Sequence, residues 1–323
     1  MDGYVVSVDG SSVPADAAAA ERALSQGTLL WLDLHGADDD TMAMLRDLFQ
    51  FHPVALDDVG EFAQRPKAES FGDMVYIVSY AATSMLGPLT EVHAFYSERY
   101  LITVRKQGCD ALDQIRAQLA VTGGEGPSGT RPVRLIMLHH ILDSMIDSFF
   151  PPLSDLDDRI DGLLERIFVS PSKDELEDLL RMQRWLVSVR KLVSPQRDVM
   201  AALLSGIVEL PGKTADSDPY LRDLYDHVIR ISDLIDSYRD LLSNGMDAYL
   251  SMVSNKLNEV MKQLTIIATV FLPLSFLTGF FGQNFGWLVA RLGGLGAFLI
   301  LGIGGEVAAV VGLYTLFRRR GWL

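Results

Sequence analysis

The chain has 323 residues, 49% of them hydrophobic, and a formal net charge of −14 at pH 7. Acidic side chains repel the phosphate backbone of nucleic acids, so the charge argues against a nucleic-acid partner and favours metal cations or basic partners. The single cysteine, Cys109, excludes an intramolecular disulfide and a thiolate-rich metal site and fits a reducing compartment. The sequence has neither a glycine-rich phosphate loop nor a nucleophile motif, so we do not expect an enzyme.

The N-terminal part of the chain alternates strand-like and helix-like segments. Runs of β-branched and aromatic residues predict strands at 4–8, 28–34, 74–80, 92–97 and 100–105. Helical patterns occupy 15–24 and 38–49, and the second has acidic residues at its N-terminus, where the helix dipole favours them. We therefore expect residues 1–130 to form a cytoplasmic α/β domain that ends at the glycine- and proline-rich segment 122–129.

The next part is expected to be helical and strongly acidic. Residues 131–168 and 172–205 predict two helices separated near Pro171, with acidic residues on their faces. Together with the linker that follows, they make up a predicted acidic helical pair at 131–218.

A third long helix is predicted to begin at Asp218 and Pro219, an N-cap residue followed by proline at the first helical position. Apolar residues recur at steps of three and four from Leu221 to Leu257, so one side of this helix is apolar. We interpret residues 219–263 as a stalk helix whose apolar side packs in a symmetric bundle of identical helices.

Two long apolar stretches follow the stalk. The nineteen residues 264–282 carry no charge, and as a helix they would span about 28 Å, close to the hydrocarbon thickness of a bilayer. A second apolar stretch occupies 292–317. We interpret 264–284 as a first transmembrane helix with its exit, 285–291 as an extracytoplasmic loop, and 292–317 as a second transmembrane helix. Their position at the C-terminal end argues against a cleaved signal sequence.

The charges around the two spans predict their orientation. Of the 28 basic and 42 acidic residues, 24 and 41 lie in the first 263 positions, which gives that part a formal charge of −17. The basic tail 318–323 begins with Arg318, Arg319 and Arg320, a positive-inside signal, and a short hairpin returns the chain to the side it left. We therefore expect a multi-pass protein of the cell (inner or plasma) membrane, in contact with the lipid bilayer, with both termini cytoplasmic.

Polar and small side chains follow one side of the first span. Two spans cannot enclose a pore, so transport would need a ring of subunits around the side that carries Asn258, Thr265, Thr269, Leu272, Ser275 and Gly279. Such residues are also ordinary helix-packing devices. Gly282, Gln283 and Asn284 at the exit favour transport, because a ring of amides could bond the water shell of a hydrated cation, which Mg²⁺ sheds reluctantly.

Residues 254–285, SNKLNEVMKQLTIIATVFLPLSFLTGFFGQNF, resemble the stalk and pore helix of the CorA family of divalent-cation (magnesium and cobalt) transporters. The hallmark of this family is Gly-Met-Asn at the exit of the span. HPVALDDV at 52–59, QRPK at 64–67 and PYLRDLYDHVIRISD at 219–233 agree with it. The resemblance, from about Trp31 to the C-terminus, implies a funnel-shaped homopentameric channel for Mg²⁺, and also Co²⁺ and Ni²⁺, that intracellular Mg²⁺ gates.

The resemblance also implies roles for individual residues of the pore. Gly282, Gln283 and Asn284 would form the selectivity filter, with Asn284 at the entrance. Five further residues would line the pore and its gate. Asn258 would form an amide ring near the inner mouth, Met261, Leu264 and Leu272 would form hydrophobic constrictions, and Ser275 would be a small polar position.

The same resemblance implies a regulatory metal site between subunits. Asp58 of one chain and Asp223 of the next would bind Mg²⁺, and Asp57 would support them. His227 lies one helical turn after Asp223 and is a further candidate for this site. Adjacent His139 and His140 point to different sides of a helix, so we interpret them as structural residues.

Three features differ from the family pattern. Gln283 replaces the methionine of Gly-Met-Asn, so the ion preference cannot be transferred. The segment 285–294 contains Arg291 and no acidic residue. Glu306 lies inside the second span, where an unpaired charge is costly, and we interpret it as a protonated or interface-paired residue outside the pore.

Two alternatives remain on the sequence alone. One is a zinc transporter of the same superfamily, because filters that vary at the middle position occur there. The other is a membrane-anchored sensor or scaffold whose hairpin only tethers the acidic part. The selectivity order, the coupling to protons or to the membrane potential, and the resting state are open at this point.

Overall fold

The computed structural model of the protein describes residues 2–122, 134–283, 285–292 and 294–322. Its contacts divide the chain into two compact units, Met1–Met246 and Asp247–Leu323. The predicted domain boundary at residue 130 lies outside the described residues.

The first unit contains a seven-stranded sheet in the order β2-β1-β3-β7-β6-β5-β4. The strands are β1 Asp2–Ser7, β2 Ser12–Pro14, β3 Leu29–His35, β4 Lys67–Phe71, β5 Met74–Ala82, β6 Leu89–Tyr96 and β7 Leu101–Arg105. Only β3 and β7 pair in parallel among the described strands. Strands β5 and β7 are buried along their whole length, because both faces of the sheet are covered.

The five strands predicted from the sequence are confirmed, and two more occupy the edges of the sheet. These edge strands, β2 and β4, are short and polar, with sequences SVP and KAESF. Sheet edges are commonly short and charged, which prevents pairing with other chains. An apolar pattern therefore could not reveal them.

Three helices of the first unit lie between strands in the chain: α1 Ala17–Ser25, α2 Asp39–Asp47 and α3 Pro53–Glu61. Four more follow β7: α4 Asp110–Thr122, α5 Arg134–Asp147, α6 Phe150–Val169 and α7 Lys173–Ser205. Side-chain caps fix several starts. The Asp38 carboxylate accepts from the Thr41 N–H at 2.8 Å and begins α2. Ser172 and Glu175 form a capping box at the start of α7, which confirms the predicted break near Pro171.

The prediction of a single helix over 131–168 is wrong. Two helices, α5 and α6, are separated at Ser148 and Phe149. Pro151 and Pro152 lie in the first turn of α6, where their missing N–H groups leave no helical hydrogen bond unmade. The proline pair therefore starts a new helix rather than continuing the previous one.

The predicted long helix is confirmed as α8, Asp218–Phe281, with 64 residues. Its apolar side from Leu221 to Leu242 is buried within the first unit. A Cβ atom on Gly245 would lie 2.8 Å from Leu164 Cδ2, so α6 of the same chain packs closely there. The interpretation of the whole apolar side as a surface for packing other copies is thus wrong up to Gly245.

The second unit begins within α8 and continues with short helices. These are α9 Gly286–Leu292, α10 Leu295–Ala297 and, after a π-helical turn at Phe298–Ile303, α11 Gly304–Arg319. Two segments are long and apolar enough to cross a membrane, Ala215–Phe281 and Leu295–Arg319, and no part of their apolar windows is buried within the chain.

The second unit differs from the sequence predictions at the connection between the two spans. The segment predicted as an extracytoplasmic loop at 285–291 is mostly helix α9, and the second apolar helix begins at Leu295 rather than at 292. The residues around this connection are almost all apolar or glycine. Hydropathy alone therefore could not locate its ends.

Candidate functional site

The five residues predicted to line the pore share one side of α8. At about 100° per residue they fall within an arc of about 120°. All five are exposed in the chain, Leu272 with 73% of its surface: Asn258, Met261, Leu264, Leu272 and Ser275. We name these five residues the α8 stripe.

Helix α11 packs on the opposite side of α8. A Cβ atom on Gly305 would lie 3.9 Å from Leu277 Cδ1, and Leu277 lies about 160° around the helix from the centre of the α8 stripe. Phe281, on the same side as Leu277, lines a small cavity with Leu301 and Gly302. The second span of the chain therefore leaves the α8 stripe uncovered.

The exit of α8 requires glycine at position 282. The Gly282 N–H donates to the Thr278 carbonyl at 2.9 Å and ends the helix. A Cβ atom here would lie 2.9 Å from that same oxygen, closer than side chains come to backbone. Gln283 lines a cavity of about 200 Å³ with residues of α9 and α10, and Asn284 lies outside the described residues.

Asp58 lies on α3 and is half-buried, whereas its neighbour Asp57 is exposed. The Lys67 ammonium donates to Asp58 Oδ2 at 2.7 Å and to Glu69 Oε1 at 3.2 Å. Asp58 belongs to no group of potential metal ligands among the described residues of one chain. Within the described chain, Asp58 and Asp223 are not brought together.

Asp223 instead belongs to a cluster formed by α5 and α8. His139 Nε2 lies 3.6 Å from one Asp223 oxygen, and His227 Nε2 lies 3.6 Å from the other. His227 Nδ1 lies 2.9 Å from Asp147 Oδ1 and 3.2 Å from Asp143 Oδ1. We name these five residues, His139, Asp143, Asp147, Asp223 and His227, the α5–α8 cluster.

Only part of this cluster is predicted from the sequence. Asp223 and His227 are candidates there, whereas Asp143 and Asp147 are not, and His139 is interpreted as a structural residue. The available signal was the four-residue spacing from His139 to Asp143 and from Asp143 to Asp147, which places three polar side chains on one side of α5. That this side meets α8 depends on tertiary packing.

The α5–α8 cluster has the chemistry of a divalent-cation site. Burial, with the Asp147 charge nearby, raises the pKa of Asp143 to about 6. Burial, with His140 nearby, lowers the pKa of His139 and favours its neutral, ligating form. Both ring nitrogens of His139 and one oxygen each of Asp143 and Asp147 are buried without a well-oriented hydrogen bond among the described residues. Carboxylate oxygens suit Mg²⁺, and imidazole nitrogens suit transition metals.

A second group of potential metal ligands, Asp33, His35 and Asp113, surrounds the positively charged side chain of Arg105. The buried Arg105 guanidinium lies 2.9 Å from Asp33 Oδ2, 2.7 Å from Asp113 Oδ1 and 2.7 Å from His35 Nε2. Burial opposes ionisation of Asp33, yet the His35 and Arg105 contacts hold its pKa below the usual value. We interpret this group as a structural ion-pair network of the sheet.

Comparison with known families covers almost the whole chain. The family model described as "CorA-like Mg²⁺ transporter protein" matches residues 26–319. The chain belongs to the CorA family. This confirms the resemblance seen in the sequence, and it makes the protein a membrane transporter of divalent cations rather than an enzyme.

Individual relatives agree with this assignment. The chain is 33% identical over 306 residues to the cobalt/magnesium transport protein CorA of Thermotoga maritima, covering 92% of this chain and 84% of that protein. It is 26% identical over 264 residues to the zinc transport protein ZntB of Yersinia enterocolitica, covering 79% and 77%. The complete structure of the CorA magnesium transporter from Methanocaldococcus jannaschii superposes with a TM-score of 0.84 at 22% identity, covering 100% and 99%. The predicted fold, an α/β part followed by long helices and two apolar C-terminal helices, is thereby confirmed.

Proposed function

We propose that the protein is a homopentameric channel of the cell (inner or plasma) membrane that admits Mg²⁺, and also Co²⁺ and Ni²⁺, and that cytoplasmic Mg²⁺ closes it. The observation that carries this proposal is the α8 stripe, which α11 of the same chain leaves uncovered. Both termini are cytoplasmic in this proposal, as the arginines after the second span favour.

In a ring of subunits, the α8 stripe of every chain would face the central axis. Two spans in one chain cannot enclose a pathway, whereas a closed ring of identical chains turns the same side of each α8 towards a common axis. The apolar residues on other sides of the span, such as Ile267, are then available to neighbouring helices and to lipid. The Thermotoga maritima relative, named as a cobalt/magnesium transporter, supports Mg²⁺ and Co²⁺ as the ions carried.

The filter in this proposal consists of Gly282, Gln283 and Asn284. Gly282 is required by the close approach of the Thr278 carbonyl, which fixes where the chain leaves the helix. Rings of side-chain amides from Gln283 and Asn284 would hydrogen-bond the waters of a hydrated cation rather than strip them. Such recognition suits Mg²⁺, which dehydrates reluctantly.

The gate in this proposal consists of hydrophobic rings along α8. Met261, Leu264 and Leu272 are large apolar side chains, each more than half exposed in the single chain. When they approach the axis of a ring, they close the pathway by excluding water, and when they separate it becomes wet. Ser275 and Asn258 provide polar contacts above and below these constrictions.

Cation binding at subunit interfaces would keep the channel closed. The proposed ligands are Asp58 of one chain and Asp223 of the next, with support from Asp57. The α5–α8 cluster around Asp223 adds carboxylates and imidazoles that lack good hydrogen bonds of their own. A bound cation offsets the repulsion between carboxylates and shifts the equilibrium towards the closed state by its differential affinity.

Uptake into proteoliposomes tests the proposal. We expect the wild-type protein to take up Mg²⁺, Co²⁺ and Ni²⁺, and Asn284→Ala to abolish uptake while the oligomer remains intact on gel filtration. Asn255→Ala is the matched control, because Asn255 is an exposed asparagine of α8 outside the α8 stripe and its removal should leave uptake unchanged. Normal uptake by Asn284→Ala would refute the filter.

Zinc transport is the second candidate function. Gln283 stands where the family has methionine, and a relative at 26% identity is named as a zinc transport protein. Zn²⁺ uptake without Mg²⁺ uptake in the same assay would support this alternative. Absence of all uptake would support a membrane-anchored sensor or scaffold.

A further inference from the structure

Asp58, a proposed ligand of the regulatory cation, already has a positive partner in its own chain. The Lys67 ammonium donates to Asp58 Oδ2 at 2.7 Å. The side chains of Lys67 and Asp58 are only 27% and 17% exposed, so this ion pair is partly buried. A divalent cation that approaches Asp58 therefore meets a carboxylate that a lysine of the same chain already neutralises.

The sheet holds Lys67 in this position. Lys67 and Glu69 alternate along β4 and so lie on the same face of the sheet, where Glu69 Oε1 is a second acceptor for the ammonium at 3.2 Å. The ammonium also lies 5.4 Å from the centre of the buried Tyr76 ring, a favourable cation–π position. When Lys67 leaves Asp58, Glu69 and Tyr76 remain to hold it.

The connection between α3 and β4 is fixed as well. The Glu91 carboxylate of β6 accepts from the N–H groups of Ala63 at 2.6 Å and Gln64 at 2.9 Å. Phe62 and Ala63 have φ values of 56° and 60°, in a region that non-glycine residues rarely adopt. This anchored turn sets the distance between Asp58 and Lys67.

We propose that Lys67 is a tethered cation that competes with the regulatory divalent cation for the Asp58 carboxylate and so sets the cation concentration at which the channel closes. This inference rests on the proposed function. With the divalent cation absent, Lys67 neutralises Asp58. With the divalent cation bound, the lysine moves to Glu69. The apparent affinity for the divalent cation is lowered by the free energy needed to break the Lys67–Asp58 ion pair.

Removal of Lys67 should therefore strengthen cation binding. We expect Lys67→Met to lower the Mg²⁺ concentration that half-protects the full-length protein from protease by about fivefold, the size expected for a partly buried ion pair. Lys67→Gln serves as a second variant that keeps a polar side chain, and Lys67→Arg, which keeps the ion pair, should retain the wild-type midpoint or raise it.

Lys106→Met is a control for the general effect of removing a positive charge near the site. Lys106 is exposed and lies over the Phe62 ring at 5.8 Å, so its loss changes the net charge equally and nearby but leaves the Asp58 pair intact. We expect a shift of less than about twofold, because exposed charges are screened. Equal midpoints for Lys67→Met, Lys67→Gln and Lys106→Met would overturn the inference.

Asp58→Asn separates this inference from the proposed function. We expect it to weaken Mg²⁺ protection strongly, and Lys67→Met added to it should shift the midpoint no further, because the two residues act through one contact. Asp58-dependent protection that does not respond to Lys67 would overturn only the inference. Full protection in Asp58→Asn would overturn the inference and remove Asp58 from the proposed regulatory site, while the pore proposal would stand on the uptake assay.

Discussion

The two halves of α8 belong to one continuous helix but meet opposite surroundings. From Leu221 to Gly245 its apolar side is buried against helices of its own chain. From Leu250 to Phe280 no residue is buried and many large apolar residues are exposed, and the second span covers only one side. The first half is therefore part of a folded core, whereas the second half depends on surroundings outside the chain, namely other copies and lipid.

The same leucine-to-alanine substitution should lower the free energy of unfolding much more in the buried half of α8 than in the exposed half. Leu224 is fully buried, so Leu224→Ala should lower the free energy of unfolding by about 3 kcal/mol through lost burial and a cavity. Leu257 is 61% exposed within its own chain, so contacts inside the chain account for a loss of less than about 0.5 kcal/mol in Leu257→Ala, and any further loss must come from contacts with other copies. Chemical denaturation of the full-length protein in detergent measures both. Similar losses would mean that both halves are equally buried in the folded protein.

A second prediction concerns the exit of the exposed half. Gly282→Ala forces a Cβ atom against the Thr278 carbonyl and must displace the filter, so Mg²⁺ uptake should fall by about tenfold or more. A Cβ atom on Gly286 meets nothing within 4 Å, so Gly286→Ala should retain uptake and serves as the matched control. Uptake and oligomer size should be measured on the same preparations. If both variants transport normally, the close approach at Gly282 has no part in function.

The third prediction concerns the α5–α8 cluster, beside the buried half. The pKa of Asp143 is raised from 3.8 to about 6, so between these values the folded state keeps a proton that the unfolded state has lost. This group's contribution to stability should therefore fall as the pH rises from about 4 to about 6 in metal-free protein. Added Mg²⁺ should reverse the loss by favouring the ionised carboxylate.

Thermal unfolding across this pH range, with and without Mg²⁺, measures the effect. Asp143→Asn should remove both the loss of stability with rising pH and the response to Mg²⁺. Asp155→Asn, at an exposed aspartate of α6, should keep both. A metal-free protein whose stability rises throughout this range in the same way with and without Asp143 would contradict the assignment.

The sequence predicted those features that depend on local pattern. The three- and four-residue repeat from Leu221 to Leu242 predicted a helix with one buried side, but not that helices of the same chain, among them α5 and α7, would lie against it. The edge strand at Lys67 was missed because its sequence is polar. Asp143 and Asp147 of the α5–α8 cluster were missed because a spacing shows that residues share one side of a helix and not what lies opposite.

The exposed half of α8 serves transport only if the α8 stripe faces a cation pathway. The most direct test is modification by a positively charged, water-soluble thiol reagent in a Cys109→Ser background, with cysteine placed on either side of the span by Ser275→Cys or Leu277→Cys. Ser275 lies on the α8 stripe, and Leu277 lies on the side that meets Gly305. We predict that the reagent blocks Mg²⁺ uptake in Ser275→Cys and leaves it unchanged in Leu277→Cys. Block in Leu277→Cys alone, or an equal effect in both, would contradict the account.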